Sequence, residues 1–140
     1  PEGLGAYLVM KNCLEDAGVT ADEVDHINMH GTSTPLGDIA ESNAISKLLG
    51  DHAYDIQINS TKSMTGHLLG AAGVIEAIAV INSIIYNTVP PTINHFTDDE
   101  KIDSRLNFTF QKAVEKEVNV AMSNTFGFGG HNACVLFSKI

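Results

Sequence analysis

Cysteine and positive charge are what this sequence has least of. Only Cys13 and Cys134 occur in 140 residues, 121 positions apart. Two distant thiols do not make a disulfide framework. No apolar signal precedes the first helix-like segment, so a secreted precursor is not expected and a reducing cytoplasm is. Lysine and arginine number 8 against 17 acidic residues, a net charge of −9. Nucleic acid and anionic membrane both need clustered cations, so neither is an expected partner. No HExxH and no paired CxxC appears, which leaves no metal site to expect. The longest apolar run, residues 68–85, is broken at its middle by Glu76 and then by Asn82 and Ser83. A central carboxylate is costly in lipid, so the run reads as a buried core helix rather than a membrane span.

What remains is the composition of a folded domain. Apolar residues make up 44% and charged residues 18%. A compact chain of 15.0 kDa should expose roughly 7,000 Å². The order of elements predicts an α/β protein with a mixed sheet. A helix runs from the first residues to a stop at Gly18, with Pro1 in its first turn. A chain that opens inside a helical pattern is expected to be cut from a longer one. Thr20 and Glu23 have capping-box spacing. Strands are expected at Val24–Met29, Asp55–Asn59, Leu106–Phe110, Val118–Ser123 and Ala133–Ser138. A second helix starts near Asp38 and Glu41 and ends at Gly50. Residues 60–65 read as a polar loop, and the long helix is expected from about His67 to Tyr86. Gly66, Gly70, Gly73 and Ala77 form a small-residue stripe where another helix could approach it.

Three places carry candidate chemistry. His30 follows a strand and opens a Gly-Thr-Ser-Thr-Pro loop, the position where open α/β sheets place their sites. The hydroxyls of Thr32, Ser33 and Thr34 can bond a polar ligand or the turn itself. Lys62 and His67 lie in the approach to the long helix, with Glu76 nine residues beyond His67. A neutral imidazole at a helix N-terminus can donate to a developing oxyanion. The same residues also read as a buried Lys–Glu pair beside a capping histidine. Phe126, Gly127, Phe128, Gly129 and Gly130 form either an aromatic flap or an ordinary strand connection. Neither cysteine is a nucleophile candidate: Cys13 is inside a helix and Cys134 inside an apolar strand.

Three motifs in order identify a resemblance. They run from His30 to Asp38 (His-Gly-Thr-Ser-Thr-Pro-Leu-Gly-Asp), from Lys62 to Gly73 (Lys-Ser-Met-Thr-Gly-His-Leu-Leu-Gly-Ala-Ala-Gly), and from Asn124 to Asn132 (Asn-Thr-Phe-Gly-Phe-Gly-Gly-His-Asn). Together they closely resemble the C-terminal part of beta-ketoacyl-acyl carrier protein synthases of the type I/II class, closest to type II. The likeness runs from Pro1 to Ile140. It implies the C-terminal half of a thiolase-type fold, with residues 1–140 as one domain. It implies a decarboxylative Claisen condensation of an acyl-enzyme with malonyl-acyl carrier protein, as in fatty acid elongation. By the same likeness His30 and His67 match the active-site histidines, Lys62 the active-site lysine and Glu76 its carboxylate partner. Thr32 and Thr34 match the residues that meet the phosphopantetheine arm, and Phe128 the gating phenylalanine, with Phe126 beside it. The implied partners are acyl carrier protein, the N-terminal half with its nucleophilic cysteine, and a second copy in a homodimer. No cofactor is implied. The competing expectation is a non-catalytic scaffold or dimerisation module of the same fold.

Overall fold

The computed structural model describes residues 3–127 and 129–140. The expected roles of Pro1 and Phe128 therefore lie outside the described residues. The elements in chain order are α1 (Leu4–Ala17), β1 (His26–Asn28), α2 (Gly37–Leu49), β2 (Gln57–Asn59), α3 (Lys62–Thr65), α4 (Ala72–Tyr86), β3 (Thr88–Val89), β4 (Val114–Glu115), β5 (Val120–Phe126) and β6 (Asn132–Ser138). The main sheet has the order β2-β1-β5-β6. Strands β2, β1 and β5 are parallel, and β6 returns antiparallel along β5.

Local chemistry sets most of these boundaries. α1 ends where Gly18 turns to φ 67°, a left-handed cap that returns its N–H to Leu14 and Glu15. Thr20 and Glu23 close their capping box around a single 3₁₀ turn. Along β5 the side chains alternate between two cores. Val120 and Met122 join Met10 and Leu14 of α1 and Ile45 and Leu49 of α2. Ala121 faces the other way, with Val80 and Ile84 of α4 and Val118. The sheet is thus covered by α1 and α2 on one side and by α4 on the other.

Several expectations change here. Residues 62–65 are the helix α3, not loop. The long helix starts at Ala72, five residues after His67, because a 3₁₀ turn at Leu69–Ala71 comes between. Leu106–Phe110 does not form a strand. The N–H groups of Phe108 and Phe110 bond locally to Leu106 and Phe108, leaving only isolated bridges to Ile58 and Thr92. The pair β3–β4 was not foreseen, since two residues carry no periodicity. Of the small-residue stripe, Gly73 meets a strand rather than a helix, since a Cβ there would lie 3.6 Å from the Thr125 hydroxyl of β5, while Gly66 and Gly70 face open space.

The largest change concerns α4. It is not buried all round. Ala72, Glu76, Val80, Ser83 and Ile84 form its inner stripe. Val74, Ile78, Ile81 and Ile85 point outward and are 36–65% exposed. The chain exposes 7795 Å², about a tenth more than the roughly 7,000 Å² of a compact chain this size. An apolar face of this kind on a water-exposed helix drives association. The chain expressed by itself is therefore expected to self-associate at micromolar concentration. Sedimentation velocity checks this, and a monodisperse monomer would contradict it.

Candidate functional site

The three parallel strands all point their C-terminal ends at one edge of the sheet, and each delivers part of the site there. β1 ends at Asn28, and His30 follows two residues later. β2 ends at Asn59 and leads to Lys62 and His67. β5 ends at Phe126. The loops are tied to one another. Asn28 Oδ1 accepts the Thr61 N–H at 3.1 Å, and Ser60 Oγ donates to the Gly31 carbonyl at 3.0 Å. Gly31 has φ 42°, and a Cβ there would sit 2.7 Å from Ser60 Cβ. Only glycine allows the two loops to approach this closely.

At this edge the rings of His30 and His67 meet edge-on, with centroids 5.5 Å apart and planes at 85°. The ring of Phe126 lies 5.5 Å from His30 on another side. Burial, the Lys62 ammonium and His67 together hold His30 well below the ordinary imidazole range, at about 4. His30 is therefore neutral at pH 7. The helix-terminus argument for His67 does not survive, because α4 begins five residues later. Another contact orients the ring. Nδ1 of His67 accepts the Leu69 N–H at 3.1 Å, which leaves Nε2 to carry the ring proton. Leu69 takes up φ 52° to make that bond.

Lys62 Nζ lies 2.5 Å from Glu76 Oε1, and both side chains are almost fully buried. Burial raises the Glu76 carboxyl, while Lys62 and His67 hold it down. The remaining oxygen, Oε2, has no partner among the described residues. Of the two readings of this group, the buried Lys62–Glu76 pair is seen, whereas His67 does not cap the long helix.

A cleft of about 890 Å³ opens beside His67, walled by Thr32, Thr34, Lys62, His67, Phe108 and Phe110 among others, and His30 does not line it. The hydroxyls of Thr32 and Thr34 are 3.4 Å apart. Phe126 packs on His30 and does not line this cleft. No group of three or more metal-ligating side chains gathers among the described residues.

Sequence reasoning missed one supporting residue. Glu41 was read as part of a helix-start signal, yet it is 2% exposed and lies beneath the His30 loop. Its Oε1 accepts the His30 N–H at 2.9 Å and Asn124 Nδ2 at 3.0 Å. Its Oε2 accepts the Gly31 N–H at 3.1 Å. Burial pushes this carboxyl up to about 7 despite those three donors. An acidic residue at the core-facing position of α2, facing a Gly-containing loop, was the available signal.

Acid sensitivity follows from these groups. His26, fully buried with Nε2 against Asn59 Oδ1, is also lowered to about 4 by desolvation. Between pH 6.5 and 4 the unfolded chain binds protons that folded His26 and His30 refuse, so stability falls as pH drops. Glu41 acts oppositely between pH 7 and 4.5, because its folded form binds the proton more readily. Glu76, whose carboxyl burial also raises, acts in the same sense as Glu41, so the histidine share of the pH dependence is read as the difference between the protein and a histidine variant. Urea titrations at pH 7 and 5 measure it. His26→Gln is expected to shift the slope toward greater stability in acid, and an unchanged slope would remove His26 from the account.

With this geometry in place, comparison with known proteins is informative. Residues 1–96 match the family model described as beta-ketoacyl synthase, C-terminal domain. The chain is 49% identical over 140 residues to 3-oxoacyl-[acyl-carrier-protein] synthase 2 of Coxiella burnetii, covering all of this chain and 33% of that protein. A crystal structure of a beta-ketoacyl synthase from Burkholderia phymatum superposes with TM-score 0.92 at 35% identity, covering 100% of this chain and 33% of that one. A type II polyketide synthase acyl-carrier protein in complex with its ketosynthase bound to the hexaketide superposes with TM-score 0.93 at 35% identity, over 99% of this chain and 34% of that one. The chain spans about a third of the length of the curated relatives it matches.

Proposed function

We propose, from the premise that this chain belongs to the beta-ketoacyl synthase family as its C-terminal domain, that it supplies the oxyanion-stabilising part of an acyl-condensing site. The observation that carries this reading is the edge-on His30–His67 pair at the C-terminal end of the sheet, with His30 held neutral and His67 fixed with its proton on Nε2. The substrates are an acyl group on an enzyme cysteine, outside this chain, and a malonyl thioester on acyl carrier protein. The bond between the malonyl carboxylate and its α-carbon breaks and carbon dioxide leaves. The electron pair moves to the thioester oxygen, where the N–H groups of the two histidines stabilise the enolate. The enolate carbon then attacks the acyl carbonyl, a carbon–carbon bond forms and the cysteine leaves as thiolate.

Each other residue has a place in this scheme. Thr32 and Thr34 line the cleft and can bond the amides of the carrier's arm. The buried Lys62–Glu76 pair holds a fixed charge arrangement beside His67 without adding net charge. Phe126 shields one side of His30 from water. Carrier partnership is supported by the carrier protein bound in the related ketosynthase structure. The uncovered face of α4 is where the rest of the enzyme would pack. The reading extends to a homodimer working in the cytoplasm.

The test uses the complete enzyme that contains this chain. Supplied with acyl and malonyl carrier protein, it should release one carbon dioxide for each 3-oxoacyl product. Carbon dioxide release without a condensed product, or neither, would instead favour a non-condensing scaffold of the same fold.

A further inference from the structure

Part of the lining of the cleft beside His67 comes from a segment that the scheme above does not use. Thr92 Oγ1 accepts the Ser60 N–H at 2.8 Å, Ser63 Oγ accepts the Ile93 N–H at 3.0 Å, and Asn94 Nδ2 donates to the Ser63 carbonyl at 3.3 Å. These bonds fasten residues 92–94 to the segment that carries Lys62. The Thr92 N–H also bonds to the Thr109 carbonyl at 2.7 Å, and the Gln111 N–H to the Thr92 carbonyl at 2.9 Å. Asn94 turns to φ 62° and Gln111 to φ 64°, left-handed conformations that few side chains tolerate. The Gln111 side-chain amide donates to the His95 carbonyl and closes the two turns on each other. What they hold in register is a stack of rings. His95 lies flat on Phe110, with centroids 3.7 Å apart and planes at 9°, and Phe110 lies beside Phe108 at 5.5 Å. All three rings line the cleft.

His95 is oriented as well as stacked. Its Nε2 lies 3.1 Å from Asp98 Oδ1. A carboxylate only accepts, so Nε2 carries the proton, and Nδ1 of the neutral ring is left as an acceptor facing no donor among the described residues. The surroundings then restrict what could meet it. Asp38, Asp98, Asp99 and Asp103 also line the cleft, while the Lys62 ammonium is committed to Glu76. An anion is therefore repelled from this space. The ring faces are apolar, and the groups left to bond a ligand are His95 Nδ1 and the hydroxyls of Thr32 and Thr34. The ligand that satisfies both is an uncharged, extended chain of methylenes broken by amide N–H donors.

We propose that His95 is a specificity-determining contact for the thiol arm of the carrier: Nδ1 accepts an amide N–H of the arm, and the His95–Phe110 stack packs against the methylenes beside it. The proposal rests on the acyl-condensing reading above. It adds to the threonine hydroxyls a bond from a different loop, so that the arm is gripped by two separately anchored segments. Such a contact is made equally before and during the reaction, and its loss is expected in KM rather than in kcat.

The test uses the complete enzyme and two malonyl thioesters, one of pantetheine and one of butanethiol, which carries no amide. Carbon dioxide release should show His95→Ala with KM raised roughly 5–10-fold for the pantetheine thioester, the scale of one lost hydrogen bond, and kcat changed by less than about twofold. KM for the butanethiol thioester should move by less than about twofold. His95→Gln, which keeps an acceptor oxygen, should recover most of the affinity. Pantetheine itself, titrated by ligand-observed NMR, should lose affinity in the same proportion, a readout that needs no turnover. Equal KM changes for both thioesters, or a lowered melting temperature with KM unchanged, would overturn the role of His95. Unaltered enzyme that binds pantetheine and releases no carbon dioxide would instead overturn the acyl-condensing reading, and the NMR titrations would still decide for or against His95.

Discussion

In the complete enzyme, His30→Ala and His67→Ala are each expected to slow condensation by roughly 10²–10³-fold, the scale of losing one preorganised donor to an oxyanion. At His30 the size follows from how little the ring can be replaced by water, and at His67 from its fixed orientation. His30 is half-buried between His67 and Phe126, and the burial that keeps it neutral also keeps bulk solvent from substituting for its N–H. His67 is exposed but oriented, since the Leu69 N–H holds its Nδ1 side. Substituting glutamine should recover more activity at His67 than at His30. The His67 site faces an open cleft that can admit a longer amide, whereas His30 is packed on two sides. Steady-state rates with malonyl carrier protein measure this. A loss below about tenfold for either alanine variant would take that ring out of the chemistry.

The second large effect concerns stability. Lys62→Met is expected to destabilise the protein by about 3–5 kcal/mol, because it leaves Glu76 buried without its counter-ion. The loss should depend on pH. Burial already raises the Glu76 carboxyl, and removing Lys62 takes away the main influence holding it down. The folded variant then binds a proton more readily than the unfolded chain, so its stability improves as pH falls. Urea unfolding should show the largest deficit near pH 8 and a smaller one near pH 5. The double variant Lys62→Met with Glu76→Leu should recover most of the loss. A deficit under 1 kcal/mol at both pH values would show that the pair is not desolvated.

How far the sequence reached depends on how local each signal is. The end of α1, the capping box and the sheet strands β1, β2, β5 and β6 were legible, because a left-handed glycine, a reciprocal Thr20–Glu23 contact and apolar runs act within a few residues. Lys62 and Glu76 were legible as a pair because a buried carboxylate needs a cation and Lys62 was the near one. The start of the long helix was not, since Leu69 adopts a positive φ that its residue type does not advertise. Glu41 was misread for a related reason. Asp38 and Glu41 have helix-start spacing, and only the tertiary fold turns Glu41 inward to the His30 loop while Asp38 accepts the Ser33 N–H. The exposed face of α4 was hidden by composition: a helix apolar on nearly every side reads as core, yet Val74, Ile78, Ile81 and Ile85 stand exposed.

The central claim is that His30 and His67 act on the malonyl oxygen and not on acyl transfer to the cysteine. The decisive measurement separates the two half-reactions in the complete enzyme: acyl loading followed by mass spectrometry, and carbon dioxide release from malonyl carrier protein. The account predicts that His30→Ala and His67→Ala lose roughly 10²–10³-fold in decarboxylation while acyl loading changes by less than about tenfold. Equal losses in both half-reactions would contradict it.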